Sequence, residues 1–559
     1  MNQSKNNRFM PLLMALCVVV GILIGTFYAN HFSGNRLNII NSGSSRLSNL
    51  LHIIDDQYVD SVNIDELVDK AIPEILSELD PHSVYISAKD VQLATDDLKG
   101  SFSGVGIEFT IRQDTLRIQN VIKDGPADKA GLLAGDKVVS INGKSFVGKD
   151  VTNEEAMHRL KGPKDSKVKI GVKRYGEKGV KMFTVTRGDI AVKSVSAAYM
   201  LNDTTGYIRI KSFGERTYAE MLAALQTLNI RGADHLVIDL RDNGGGILES
   251  AVQMANEFLP KNRLIVYTQG RKSPRVNYRS DGKGSYQHIP MVVLINEGSA
   301  SAAEIFAGAM QDNDRATIVG RRSFGKGLVQ QQIQFNDGSL IRLTIARYYT
   351  PSGRCIQKPF KPGDNADYEN DILTRYQHGE FFSQDSIKHE GPAYHTVNGR
   401  TVYGGGGITP DIFVPEDTSK VTSYYKEAVM SGLILQYAFN YTDSNRKKLS
   451  SFGEMKPLAN YLEHQNLVGD FVNFAEKNGL RRRNLMIMRS HSLLQDYLNS
   501  RIIYNILDEQ AWIEYVNRDD ATVKEAIRVF HMPSLLLLKP KQKALKHSDS
   551  LRKTIPLRR

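Results

Sequence analysis

Two predominantly apolar runs limit what this chain can fold into more than any other feature: His235-Leu236-Val237-Ile238-Asp239-Leu240 and Met291-Val292-Val293-Leu294-Ile295. A strand with one wet face alternates apolar and polar residues, so a run without alternation reads as a strand covered on both faces. The first run enters Arg241-Asp242-Asn243-Gly244-Gly245-Gly246 and then a helix through Phe258; the second ends at Asn296-Glu297-Gly298, ahead of a helix rich in small residues. Gly206–Ile210 reads as a further strand and Tyr218–Leu228 as an amphipathic helix. This alternation predicts an α/β core with crossover helices over residues 189–420. Residues 359–406 inside it are polar and Gly-rich, and predict a long surface excursion with one hairpin at Asn398-Gly399.

On either side the pattern changes. Residues 31–97 carry apolar positions at helical spacing (Leu47, Leu50, Leu51, Ile54; Leu67, Ile72, Ile75, Leu76), broken at Asp80-Pro81 because proline disfavours helix in the residue before it. Residues 421–535 read as helical, and 536–559 as a basic disordered tail. Between 98 and 188 the period is that of short strands. Gly104-Val105-Gly106-Ile107, Gly125-Pro126-Ala127 to Ala130-Gly131-Leu132, and Gly135-Asp136-Lys137-Val138 to Ile141-Asn142-Gly143 follow in order, then a helix Asn153–Leu160 and a closing strand Lys167–Lys173. This stretch resembles a PDZ domain. Its Gly104–Ile107 turn offers backbone N–H groups to a peptide carboxylate, and an open strand edge accepts the peptide as an extra strand.

Composition excludes several classes. Length of 559 residues suggests three or four domains. The net charge of +11 hints at nucleic acid, but eight Lys/Arg and one Asp lie between Lys539 and Arg559, which leaves only +4 over the other 538 residues. A solvated tail explains this, and nucleic acid is not implied. Two cysteines, Cys17 and Cys355, exclude a disulfide framework and a cysteine metal site. There is no His-Glu-x-x-His pair and no phosphate-binding Gly-x-x-x-x-Gly-Lys-Ser/Thr loop, so no metal or cofactor is expected. At the amino terminus Lys5 and Arg8 precede an uncharged run from Phe9 to Asn30. Such a flank and run mean export with the basic end left behind, and the run is long enough for an uncleaved anchor in an inner membrane; cleavage near Ala29 is the alternative. The bulk of the chain is then expected on the periplasmic side of a cell envelope.

Chemistry concentrates in two stretches. Gly298-Ser299-Ala300-Ser301-Ala302-Ala303-Glu304 crosses from a strand end into a helix, where unpaired N–H groups favour developing negative charge. Taken alone, Ser299 or Ser301 is a helix N-cap. The second stretch, Ser323-Phe324-Gly325-Lys326-Gly327-Leu328-Val329-Gln330, sets a lysine between glycines that let it approach closely. A buried lysine loses basicity to desolvation and can act as a neutral base, which makes serine plus lysine an activated nucleophile.

Ser-Ala-Ser-Ala-x-Glu-Ile with Phe-Gly-Lys-Gly-x-Val-Gln resembles the carboxy-terminal processing peptidases, or tail-specific proteases, from Leu79-Asp80-Pro81-His82-Ser83 through the PDZ-like unit to Gly407-Ile408-Thr409-Pro410-Asp411. The resemblance implies an α+β multidomain chain: a PDZ domain inserted before an α/β, ClpP/crotonase-like peptidase core, with helical N- and C-terminal regions. It further implies Ser301 as nucleophile, Lys326 as general base, Gln330 orienting the lysine, and an oxyanion hole from the amide of Ala302 and that of Gly245 or Gly246. Gly104, Val105, Gly106 and Ile107 would bind the carboxy-terminus of protein or peptide substrates. Asp312 is too far along the helix to touch Ser301 and reads as structural, as does Glu304. The region after 420 is expected to serve self-association or an adaptor. A tethered PDZ scaffold with a dead core would lack Ser301, Lys326 or Gln330, and a chymotrypsin-like PDZ protease would show a Gly-Asn-Ser-Gly-Gly-type loop.

Overall fold

In a computed structural model the described residues are 14–16, 18–22, 43–112, 114–149, 151–174, 177–389 and 391–532. Most of the apolar N-terminal run and the whole basic tail therefore lie outside them. Among the described residues no helix is long and apolar enough to cross a membrane. Two units are distinguished, residues 1–76 and 77–559. The first contains the helix Gly43–Gln57 and most of Ile64–Ser77, whose start is capped by Asn63 Oδ1 accepting the N–H groups of Asp65 and Glu66.

In the second unit the core sheet runs Val195–Met200, Thr205–Ile210, His235–Asp239, Met291–Ile295, Thr317–Gly320, Ile412–Phe413, parallel except at its first strand. Both faces are covered, as the apolar runs require. Ile208, Leu236, Ile238, Val293 and Ile318 pack with helices Thr217–Ile230, Leu248–Phe258 and Ala302–Asp312. The alternate residues Tyr207, Val237, Val292, Leu294 and Val319 pack with Ile513, Val523, Ala526 and Val529. These last come from helices Glu509–Asn517 and Ala521–Phe530, so the end of the expected helical region is a layer of the core. The preceding helices, Ser423–Met430 to His491–Ile506, gather around their own core of Tyr424, Leu458, Phe471 and Leu498.

A second, five-stranded antiparallel sheet joins Val84–Ile86, Leu340–Tyr349, Leu264–Gln269, Val276–Arg279 and Leu328–Gln334. Its first strand departs from the helical reading of 31–97. The helix has already ended at Ser77, and Asp80 Oδ1 accepts the N–H groups of His82 and Ser83, which turns the chain into a strand paired with Leu340–Arg342. The stretch 359–406 also differs from a plain surface excursion. It contains helices Asn365–Glu369 and Asp371–Gln377 and the hairpin Ala393–His395/Thr401–Tyr403, and it buries Tyr368, Arg375, Glu380 and Phe381.

The strands of residues 107–186 order as Ile107–Arg112, Thr115–Val121, Lys137–Ile141, Lys167–Lys173, Lys181–Thr186. The sheet thus closes one strand later than the sequence suggests, because the exposed Met182 and half-buried Phe183 give that strand little apolar signal. The chain enters on Ser101–Gly104 and leaves on Gly188–Ala191, and these two pair with each other, so the inserted domain stands on a two-stranded stem.

Candidate active site

The glycine turn after His235–Asp239 is rigidly held. Asn243 donates from Nδ2 to the Ile210 carbonyl, accepts the Gly245 N–H at Oδ1, and its own carbonyl accepts the Ala300 N–H, each at 2.8 or 2.9 Å. Gly245 has φ +99°, and a Cβ there would lie 2.6 Å from Ser301 Cβ and 2.9 Å from the Ala302 nitrogen. Backbone and serine meet only because the side chain is absent. Gly246 is turned the other way, against the Phe213 carbonyl. The N–H of Gly245 is thus occupied, whereas those of Gly246 and Ala302 have no partner among the described residues.

The two serines separate in role. Ser299 is fully buried, donates its hydroxyl to the Leu240 carbonyl and accepts the Asn296 N–H, and so tightens the turn. Ser301, at the N-cap of Ala302–Asp312, has φ 55° and ψ −117°, a conformation that L residues rarely adopt. Strain of about 1–3 kcal/mol of this kind persists only where the surroundings enforce it, and it collects at functional sites. The Glu304 carboxylate reaches back from the first turn of this helix and accepts the Ser301 N–H at 2.9 Å, as in a capping box.

Glu304 is fully buried and reaches further. The oxygen that takes the Ser301 N–H also takes the N–H of Lys326 at 2.9 Å, and the other takes the Ser323 hydroxyl and the Gly325 N–H. Burial pushes this carboxyl up to about 7 against the pull of those hydrogen bonds. The carbonyls of the same two residues are joined as well. Tyr348, buried on Leu340–Tyr349, sets its hydroxyl on the carbonyl of Ser301 at 3.0 Å and on that of Lys326. One carboxylate therefore ties the amides of Ser301 and Lys326 and one phenol ties their carbonyls. Glu304 had an available signal, the serine-x-x-glutamate spacing of a capping box; Tyr348 had none.

The lysine loop is clamped from its other side. Gly327 donates to Gln357 Oε1, Lys358 donates to the Gly325 carbonyl, and Arg375 donates to the carbonyls of Ser323 and Arg322. Lys326 is pushed below the usual lysine range by burial and then by the charge of Arg342, with Glu304 and Asp80 acting in the opposite sense. Burial and the same lysine lower His82 to about 4. The Gln330 side chain donates to the His82 carbonyl; among the described residues it makes no hydrogen bond to Lys326, nor does Ser301 Oγ. Asp312 lies elsewhere, paired with Arg354 at 2.8 Å and accepting from Ser352, and it anchors the turn after Leu340–Tyr349.

In the inserted domain Ile107–Arg112 is the edge strand of its sheet. Gly106 has φ +78°, and a Cβ there would lie 2.8 Å from Ile190 Cδ1. The carbonyls of Val105 and Gly106 accept the N–H groups of Ala127 and Ile122, while the N–H groups of Val105 and Gly106 have no partner among the described residues.

Known proteins show the same combination. The profile of peptidase family S41 matches residues 204–368 and that of PDZ domains residues 103–185, while residues 424–508 match a family of unknown function. The carboxy-terminal-processing protease of Bartonella bacilliformis is 40% identical over 319 residues, 56% of this chain and 72% of that protein. The carboxy-terminal processing protease CtpB of Bacillus subtilis (strain 168) is 35% identical over 318 residues, 56% of this chain and 65% of the relative. Among solved structures, the photosystem II D1 C-terminal processing protease aligns at 28% identity over 58% of this chain and 92% of its own, with a TM-score of 0.34. The chain belongs to the carboxy-terminal processing proteases of peptidase family S41, serine-type peptidases that carry a PDZ domain.

Proposed function

We propose that the chain cleaves unstructured tails of envelope proteins by acyl transfer, with Ser301 as nucleophile and Lys326 as general base. Lys326 Nζ takes the proton as Ser301 Oγ attacks the peptide carbonyl; the same proton goes to the departing amine, and water releases the acyl group from Ser301. The N–H groups of Ala302 and Gly246 receive the oxyanion, each such donor worth about 3 kcal/mol in the transition state. Gln330 orients the lysine amine once it turns from the His82 carbonyl, since hydrogen bonds of this kind often close only around substrate. The substrate's carboxylate is held by the N–H groups at 104–107 and its end adds to the edge of Ile107–Arg112. Residues 9–30 keep the enzyme at the inner membrane with its bulk in the periplasm.

The observation that carries this reading is the double tie between Ser301 and Lys326 through Glu304 and Tyr348. It is tested by comparing the purified chain with Ser301→Ala and Lys326→Ala on an unfolded protein with a free tail. Both variants should lose cleavage, and undiminished hydrolysis in either would overturn the assignment.

A further inference from the structure

The C-terminal helical layer carries a face that peptide cleavage does not use. In the short helix Asn484–Arg489, Ile487 packs on the layer's core, while Leu485 and Met488, three residues apart and so on one side, are 78% and 71% exposed. Arg481, Arg482 and Arg483 precede this helix and Arg489 ends it, and from Leu480 to Gln495 the sequence contains no carboxylate. Glu427 pairs with Arg483 at 2.9 Å. Arg482 donates only to Asn484 and Asn473, and Arg489 to the Ser419 carbonyl, so the charges of Arg481, Arg482 and Arg489 meet no ion pair among the described residues. Lys426 is exposed on the adjoining helix Ser423–Met430.

Each candidate occupant can be weighed against that chemistry. A second copy docked about a twofold axis would bring three unpaired arginines from each chain together, which is repulsive. A protein interface of this size would carry aromatic anchors at its centre and few charges, and here the order is reversed. Exposed Leu and Met ringed by arginine is the composition of a segment that lies in a lipid interface.

We propose that residues 481–489 dock peripherally on an anionic phospholipid surface, with the arginines on headgroup phosphates and Leu485 and Met488 in the acyl boundary. The reporter is Leu485→Trp in the full chain, read against the single native tryptophan, Trp512, in the parent protein. Vesicles containing phosphatidylglycerol should shift the emission of the introduced indole to the blue, and salt should reverse the shift. Adding Arg481→Gln, Arg482→Gln and Arg489→Gln should weaken the effect about 100-fold, at roughly fivefold per charge. Cleavage of a soluble tailed substrate should stay unchanged, and because the probe sits on this face, insertion of residues 9–30 does not mimic the signal. No shift, an equal shift with phosphatidylcholine alone, or a concentration-dependent shift without lipid would each overturn the proposal, the last assigning the face to a second copy.

Discussion

The hydroxyl of Tyr348 donates to the backbone carbonyl of Ser301 at 3.0 Å, and the same phenol contacts the carbonyl of Lys326. Serine and lysine stand 25 residues apart in sequence, on a helix N-terminus and a glycine loop, and the phenol comes from a third element. Tyr348→Phe keeps the ring and removes only this tie. The expected result is a loss of about 1–3 kcal/mol in stability from the Lys326 carbonyl left without its donor, since the Ser301 carbonyl keeps the N–H groups of Glu304 and Ile305. Turnover should fall roughly 10- to 100-fold as the pair loses register, with KM nearly unchanged. Denaturant titration and steady-state kinetics check both, and wild-type turnover in the variant would show that the tie does not set the geometry.

Glu304 makes the matching tie through the amides, and its charge state gives a stability signature. Its carboxyl is raised from 4.5 to about 7 in the fold, so between those pH values the folded chain holds a proton that the unfolded chain has released. Stability contributed by this group is therefore full below pH 4.5 and is lost as pH rises toward 7, by roughly 3 kcal/mol in total. Glu304→Gln should abolish that slope. It should also cost stability and turnover at all pH values, because an amide nitrogen cannot accept the N–H groups it would face. Urea denaturation at several pH values distinguishes a missing slope from a uniform shift.

Arg342 tunes the lysine. Its charge is the second cause, after burial, of the lowered Lys326 pKa. Replacing it by glutamine should raise that pKa and move the rising limb of the kcat/KM profile to higher pH, leaving activity at high pH near the wild-type level. A profile that loses height without moving would mean that Arg342 acts only by holding the Ala94 carbonyl.

Three adjacent glycines should behave differently. At Gly244 a Cβ meets open space, so Gly244→Ala should be tolerated. At Gly245 the added carbon would lie 2.6 Å from Ser301 Cβ, and at Gly246 2.1 Å from the Phe213 carbonyl oxygen. Gly245→Ala should displace the serine and lower turnover at least about 100-fold, whereas Gly246→Ala should lower the melting temperature and, by shifting the proposed oxyanion donor, turnover as well. Equal tolerance at Gly244 and Gly245 would remove the steric argument for their close approach.

The core strands were legible because burial on both faces leaves no alternation in His235–Asp239 and Met291–Ile295. What covers the second face was not, since Glu509–Asn517 and Ala521–Phe530 carry the same helical signature as their neighbours and only tertiary packing assigns them to the sheet. Ser301 alone reads as a helix N-cap, and it is the paired motifs Ser-Ala-Ser-Ala-x-Glu-Ile and Phe-Gly-Lys-Gly-x-Val-Gln that single out the two stretches. Tyr348 is one aromatic in a strand of ordinary composition, and nothing local distinguishes a phenol that bridges two distant carbonyls. The Val84–Ile86 strand was hidden for a similar reason: three residues carry no period, and its partner lies more than 250 positions away.

The most direct measurement traps the reaction on the chain itself. An activated ester of a tail peptide, quenched during turnover and followed by peptide mapping, should leave one acyl group on Ser301. That adduct should be absent from Ser301→Ala, and its formation in Lys326→Ala should be slowed by at least about 100-fold near neutral pH. An adduct on Ser299, or one that forms undiminished without Ser301, would contradict the account.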